Sequence, residues 1–338
     1  MKKDTTIVTV FMAAYNAGPY ISQSIQSILN QSFRDFELLI VNDGSTDNTV
    51  EIIKSFSDPR IRLIENESNK GLGFTRNVAL KEAKGEFLAI LDSDDIAFPD
   101  RIERQLRHFS TNPQLAVLGG YAHIIDEKGN RTGKTMTPPH GSDHLRAILF
   151  FANAFVHSTI MIRTSAFREI GGYPNHPVAQ DYGLFARIAL KYEVDNMPEY
   201  FVEYRIHDTN ISIKKKNFLK KELQDILLHQ LNILAPNSPA INPNIILDPV
   251  MGSLHNIESY YTAYQEIILQ NRKHNLYPKE EFEQILFDKW YAIIMEKGKL
   301  RTFGLLFKSP IFNWRYVTAK QLRRTFKKSL KYLLGLAQ

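Results

Sequence analysis

The 338-residue chain contains no cysteine. Disulfides, thiolate metal sites and a cysteine nucleophile are excluded, and a reducing compartment is the natural setting. Long apolar runs are also missing. The most apolar stretch, Ala147 to Ile162, is broken by Asn153, His157 and Ser158 and is too short to cross a bilayer. Met1 to Thr6 leads directly into a short apolar run, Ile7 to Ala14, without the length or cleavage site of a secretory signal. The expected location is the cytoplasm. Two phosphate-binding fingerprints are absent as well. Gly71-Leu72-Gly73 begins a dinucleotide pattern, but position 76 is Arg, and no Gly-x4-Gly-Lys-Ser/Thr occurs. After Glu296 there is no Asp or Glu, while eleven Lys and Arg follow it. Against a total of +6, the rest of the chain therefore carries −5, and the basic character belongs to the C-terminal part.

Hydrophobic residues make up 43% of the chain, enough for a packed core. Short apolar runs at Ile7–Met12, Phe36–Val41, Ile61–Ile64 and Phe87–Leu91 read as strands. Helical patterns at Pro19–Asn30, Asn48–Phe56 and Phe74–Lys84 separate them. This alternation implies a parallel sheet wound by helices, whose ligands bind beyond the carboxyl ends of the strands. Asn16, Asp43 and Asp92 each follow a strand end, so they should converge on one crevice. From Leu115 to Arg163 strand-like pieces and long loops are expected, then helices at Thr164–Ile170 and Gln180–Lys191. Lys214-Lys215-Lys216 marks a boundary. Beyond it the pattern is helical, interrupted by a Pro- and Asn-rich loop from Ala235 to Pro249.

The most informative segment is Leu88-Ala-Ile-Leu-Asp92-Ser-Asp94-Asp95. Three carboxylates within four residues repel one another, so a cation is expected among them. Asp oxygens at a strand's carboxyl end suit a hard ion, Mg²⁺ or Mn²⁺, and such an ion usually holds substrate phosphates. The competing reading is a solvated acidic turn. Asp43 could accept a hydrogen bond from a base N–H or serve as a simple turn residue. Arg76 could neutralise a nucleotide or sit on a solvated helix face.

Taken in order, seven motifs resemble those of the family 2 glycosyltransferases. They are Val10-Phe-Met-Ala-Ala14-Tyr15-Asn16; Gln31-Ser-Phe33 with Phe36 to Asp47; Asn69-Lys70-Gly71-Leu-Gly73 with Arg76-Asn77; and Asp92-Ser-Asp94-Asp95. His157 to Arg163 with Gly171-Gly172-Tyr173, then Gln180-Asp181, then Tyr204-Arg205-Ile-His207 with Ser212 complete the set. The resemblance covers Val8 to about Ser212. It implies an α/β GT-A fold, a Rossmann-like mixed sheet flanked by helices, over residues 1–215. Residues 216–338 form a C-terminal helical region outside it.

The resemblance also implies roles. Ala14 and Tyr15 would border the base, and Asp43 would read a pyrimidine, most often uracil. Arg76 would lie near the nucleotide, and Asp92 would contact the ribose or the metal. Asp94 would be the direct ligand of Mn²⁺ or Mg²⁺, with His207 approaching the metal or the pyrophosphate. Asp181 would be the catalytic base. The implied reaction is inverting transfer of a hexosyl or N-acetylhexosaminyl group from a nucleotide-sugar, UDP-linked, to a glycan or lipid-linked glycan acceptor in surface polysaccharide assembly. One position departs from the family, which has Glu where this chain has Gln180; the like charge beside Asp181 is thereby removed. Two other classes compete: a non-catalytic sugar- or nucleotide-binding scaffold, which would have no use for Asp181, and a nucleotidyltransferase, which would want Lys or Arg in Met12–Tyr20 and has neither.

Outside the resemblance, Leu322, Phe326, Leu330 and Leu333 recur at helical spacing among Lys320, Arg323, Arg324, Lys327, Lys328 and Lys331. Such a helix suits an anionic membrane surface, which would make the enzyme peripheral at the inner face of the membrane. A stripe packed on the protein is the alternative. Nucleic acid is not expected as a partner, because charge alone would favour it.

Overall fold

The computed structural model describes residues 6–208, 216–236, 238, 241–247 and 256–336. Ser212 and the Lys214-Lys215 part of the expected boundary lie outside them. The chain packs into two compact units, Met1–Leu145 with Ala152–Glu222, and Arg146–Phe151 with Leu223–Gln338.

The first unit is built on a nine-stranded sheet. Its opening half alternates as expected: β1 Val8–Ala14, α1 Ile21–Leu29, β2 Phe36–Asn42, α2 Thr49–Lys54, β3 Ile61–Glu65, α3 Leu72–Glu82 and β4 Phe87–Ile90. The strands run parallel in the order β3-β2-β1-β4, with Ala14 opposite Asn42 and Phe11 opposite Ile90. β2 is buried at all seven positions, as a strand covered by helices on both faces must be. α1 turns Ile21, Ile25, Ile28 and Leu29 into the core. β1, β2 and β4 thus end side by side, and their following loops meet at one edge.

The second half is antiparallel in part, which makes the sheet mixed. β5 Ile96–Ala97, α4 Arg101–Thr111, β6 Leu115–Ile125 and β7 Arg131–Met136 are followed by α5 Ser142–Ile148, where loops had been expected. A 3₁₀ turn at His157–Thr159, β8 Met161–Arg163, α6 Thr164–Glu169, α7 Gln180–Ile188 and β9 Glu193–Arg205 complete the unit. β8 pairs antiparallel with both β4 and β6, and β9 runs parallel to β6.

The remaining helices are α8 Lys216–Leu234, α9 Pro243–Leu247, α10 Ile257–His274, α11 Lys279–Lys297, α12 Thr302–Leu306 and α13 Ala319–Leu333. α9 replaces part of the loop read over Ala235–Pro249, because Ile245 and Ile246 give it a buried face. In the second unit Trp290 is fully buried and its Nε1 donates to the Leu305 carbonyl at 3.0 Å. No helix among the described residues is long and apolar enough to cross a membrane.

The turn after β2 depends on Gly44. Its φ is +70°, and a Cβ there would lie 2.7 Å from the Ser68 carbonyl carbon and 2.8 Å from the Asn69 nitrogen. Neither backbone atom can swing aside as a side chain would. Gly44→Ala should destabilise the first unit by about 2 kcal/mol or more, read as a lowered urea midpoint with unchanged slope.

Candidate active site

The loops after β1 and β2 are laced together before any ligand is considered. The Asp43 N–H donates to the Ala14 carbonyl at 2.8 Å. Asn16, held at φ +50°, donates its N–H to Ser45 Oγ and accepts from the Thr46 N–H, both at 2.9 Å. Tyr15, half exposed, projects from the same loop. The Asp43 carboxylate is buried. Its Oδ1 accepts from Asn66 Nδ2 at 2.8 Å and the Lys70 N–H at 2.9 Å, and its Oδ2 from the Gly71 N–H at 2.9 Å. A carboxylate has about four acceptor directions, so one remains beside the Gly-rich turn. Asp43 is therefore a turn anchor, whatever else it binds.

The acidic run at the end of β4 is divided among different protein groups. Each carboxylate has its own protein partner. Asp92 accepts from Arg76 Nη2 at 2.9 Å and lies 3.3 Å from His157 Nδ1. Burial opposes its charge, but His157 and Arg76 outweigh burial and hold it well below the usual carboxylate range. Arg76 is buried, not on the solvated face that was its alternative, and its Nη2 is also 3.0 Å from His157 Nδ1. His157 Nε2 meets the Tyr173 hydroxyl at 3.0 Å. Asn77, next in sequence to Arg76, fixes Tyr173 from both sides: it donates to the Tyr173 carbonyl at 2.9 Å and accepts from its N–H at 2.8 Å.

Asp95 faces the opposite way and is 1% exposed. Burial, then the charges of Asp94 and Asp92, push its carboxyl well above the ordinary value. It accepts from the Arg205 N–H at 2.8 Å and is not placed to hold a soluble ion. The Arg205 side chain donates to the Asp94 carbonyl at 2.8 Å and to Gln23 Oε1 at 2.7 Å, closing the loop over itself. On the other side, Arg101 Nη2 donates to the Ile90 and Ile160 carbonyls at 2.8 and 3.0 Å. Burial pulls Arg101 down to about 9.

Asp94, partly exposed, is paired with His207, whose side chain is 8% exposed. His207 Nε2 is 2.8 Å from Asp94 Oδ2, and Tyr20 packs against the imidazole at 4.9 Å. No cluster of three or more His, Asp or Glu among the described residues is arranged to hold a metal. Two donors 2.8 Å apart nevertheless have nearly the spacing of neighbouring ligands on a six-coordinate ion with bonds of about 2.1 Å. The pair fits an ion that takes its other ligands from phosphate and water, as nucleotide-bound Mg²⁺ commonly does.

Asp181 lies in the first turn of α7, partly exposed. An Asp near a helix start can serve as its N-cap, but here the N-cap is Ala179 and Asp181 does not cap the helix. Glu222 receives the Val178 and Ala179 N–H groups instead, at 2.9 and 2.7 Å. Asp181 Oδ2 accepts from Asn153 Nδ2 at 3.0 Å, and Asn153 is itself set by the Phe155 N–H at 3.1 Å. The Tyr204 hydroxyl is pushed up by burial and then by Asp95, Asp92, Asp94 and Asp181, so Asp181 and the acidic run act on the same buried group. Gln180 is 1% exposed, and its Oε1 has no hydrogen-bond partner among the described residues. That oxygen lies 3.0 Å from where a Cβ on Gly73 would be, against the start of α3. His157, Tyr173 and Arg205 stood inside recognisable motifs without an assigned role. Asn153 carried no motif, only its place as a polar break in an apolar run.

Comparison with known proteins gives the family and the fold. The family model described as Glycosyl transferase family 2 matches residues 9–171. An uncharacterized glycosyltransferase of Methanocaldococcus jannaschii is 34% identical over 223 residues, 64% of this chain and 77% of the relative. The Escherichia coli protein named UDP-Glc:alpha-D-GlcNAc-diphosphoundecaprenol beta-1,3-glucosyltransferase WfgD is 41% identical over 135 residues, 40% of this chain and 53% of that protein. Among solved structures, S. aureus TarS 1-349 in complex with UDP-GlcNAc aligns with a TM-score of 0.54 at 18% identity, over 97% of this chain and 92% of that one. That likeness establishes the GT-A fold, and the identity shared along most of the archaeal relative establishes kinship: the chain belongs to glycosyltransferase family 2.

Proposed function

We propose that this protein is an inverting, metal-dependent glycosyltransferase that moves a sugar from a UDP-linked donor to a hydroxyl of a lipid-linked glycan. The observation that carries the reading is a carboxylate held on the first turn of a helix by a neutral donor, Asp181 with Asn153, in the same unit as the Asp94–His207 pair. A base and a diphosphate site are the two things a single displacement at an anomeric carbon needs.

The leaving diphosphate must accept a full negative charge. Asp94 and His207 would hold a divalent ion, which when bound neutralises that charge. Asp181 accepts the proton of the acceptor hydroxyl as its oxygen forms the new bond to the anomeric carbon. The bond to the diphosphate oxygen breaks on the opposite face, so an α-linked donor gives a β-linked product. Asn153 keeps Asp181 oriented without adding charge. The Arg76–His157–Tyr173 chain would keep Asp92 ionised and fixed for the ribose. Asp43 has one acceptor direction left for a uracil N–H, beside Ala14 and Tyr15. The relatives that name UDP and a diphosphoundecaprenol glycan support these choices of donor and acceptor.

Four sets of outcomes test the reading. Asp181→Asn should leave donor binding intact and lower turnover at least a hundredfold, about the contribution of a positioned general base. Gln180→Glu should keep far more activity, while the buried new carboxylate lowers the melting temperature; wild-type product should show inverted anomeric configuration by NMR. Asp94→Ala and His207→Ala should each abolish the Mn²⁺-dependence of UDP binding measured by calorimetry, and excess EDTA should stop wild-type turnover. UDP should raise the melting temperature in the presence of Mn²⁺ well above the shift given by GDP, with Asp43→Asn erasing the difference.

A further inference from the structure

The last helix of the second unit is fixed at its start and at one face only. Thr318 and Gln321 form a reciprocal cap: the Gln321 N–H donates to Thr318 Oγ1 at 3.2 Å, and the Thr318 N–H to Gln321 Oε1 at 2.8 Å. Thr325 is fully buried, and Ser329 Oγ accepts from the Phe303 N–H at 2.9 Å. α13 therefore packs on α12 through small polar residues. Most of its apolar residues are exposed, although the Phe326 ring also meets Phe303 of α12. Phe326 is 54% exposed, Leu333 67% and Leu336 72%, with Leu330 and Leu334 also exposed.

The apolar surface continues beyond the helix. Phe326 meets Phe303 at 5.4 Å, Phe303 meets Phe307 at 5.2 Å, and Phe307 meets Trp314 at 5.9 Å. Trp314 ends this ladder 67% exposed. Around the helix, at about 100° per residue, Leu322, Leu333, Phe326 and Leu330 fall within one narrow sector. Arg323, Lys327, Lys320, Lys331 and Arg324 occupy the adjoining sector. All five are exposed, and none makes an ion pair among the described residues.

We propose that this face of α13, with Trp314, is a docking surface for an anionic lipid bilayer. The leucines and Phe326 enter the boundary between headgroups and acyl chains, Trp314 lies at headgroup level, and the flanking cations meet lipid phosphates. Charge complementarity selects this occupant. A second copy would bring the same cations face to face. Nucleic acid would be served by the cations but has no use for a row of exposed leucines. The stripe is more than the margin of a packing face, because packing is centred on the adjoining sector at Thr325 and Phe326, Leu330 and Leu333 remain exposed.

The test is binding of the full chain to vesicles, which is independent of transferase activity. The protein should sediment with equal parts phosphatidylcholine and phosphatidylglycerol, and not with phosphatidylcholine alone. Its two tryptophans differ usefully: Trp290 is fully buried, so a blue shift of emission on binding reports Trp314. Leu330→Ser with Leu333→Ser should weaken partitioning at least about tenfold. Lys327→Gln with Lys331→Gln should weaken it by about fivefold per lysine and reduce its salt dependence. Both changes are at exposed positions, and an unchanged melting temperature confirms intact folding. Equal binding to neutral vesicles would overturn the proposal, as would an unshifted Trp314 emission. So would a dimer dissolved by the leucine changes, or RNA binding that survives them.

Discussion

Three carboxylates at the end of one short strand repel one another unless each finds a partner or one is held neutral. Here both occur: burial and its neighbours push Asp95 up, and all three take protein partners. Arg76 and His157 take Asp92, His207 takes Asp94, and the Arg205 backbone takes Asp95, while the Arg205 side chain ties the loop from Gln23 to Asp94. Arg101 anchors the strand end itself through the Ile90 and Ile160 carbonyls. Removing one member of such a buried set leaves its partner uncompensated, which is why they come from α3, α4, the 3₁₀ turn and the end of β9 together. The rest of the first unit can be understood as the scaffold that brings these elements to one place.

That scaffold has a parallel half and an antiparallel half, and each does a different part. The parallel strands β1, β2 and β4 deliver the loops bearing Asn16, Asp43 and the acidic run to a common edge. β8 then inserts antiparallel beside β4, and this puts the 3₁₀ turn with His157 against Asp92. The Arg76-Asn77 dipeptide links the halves. One side chain reaches the acidic run and the next clamps Tyr173, whose hydroxyl meets the same histidine.

The apolar stretch from Ala147 to Ile162 shows how one constraint can hide another. Asn153 and His157 disqualify it as a membrane span. In the fold they are the groups that contact Asp181 and Asp92. Polar residues inside an apolar run are costly unless something needs them, and here two carboxylates do. The C-terminal helix is the reverse case: its apolar stripe suggests burial, and the packed face is instead the one carrying Thr325 and Ser329.

The sequence by itself determined the alternation of the first four strands and their helices, the convergence of their loops, the mixed α/β class and the family. These follow from short-range periodicity and from motifs in which residue type and spacing carry the chemistry. Gly44 sits in one of those motifs, but the Ser68–Asn69 backbone that leaves no room for a side chain there is brought to it by the fold. Only the tertiary structure decided which partner each charge takes. Asp95 is adjacent to Asp94, yet one is buried and the other faces His207, because consecutive residues leave a turn in different directions. Asn153 and Asp181 are 28 positions apart with nothing local to relate them. The α5 and α9 helices lie in Pro- and Asn-containing stretches that read as loops, and each is one or two turns long and held by packing, α9 through the buried Ile245 and Ile246.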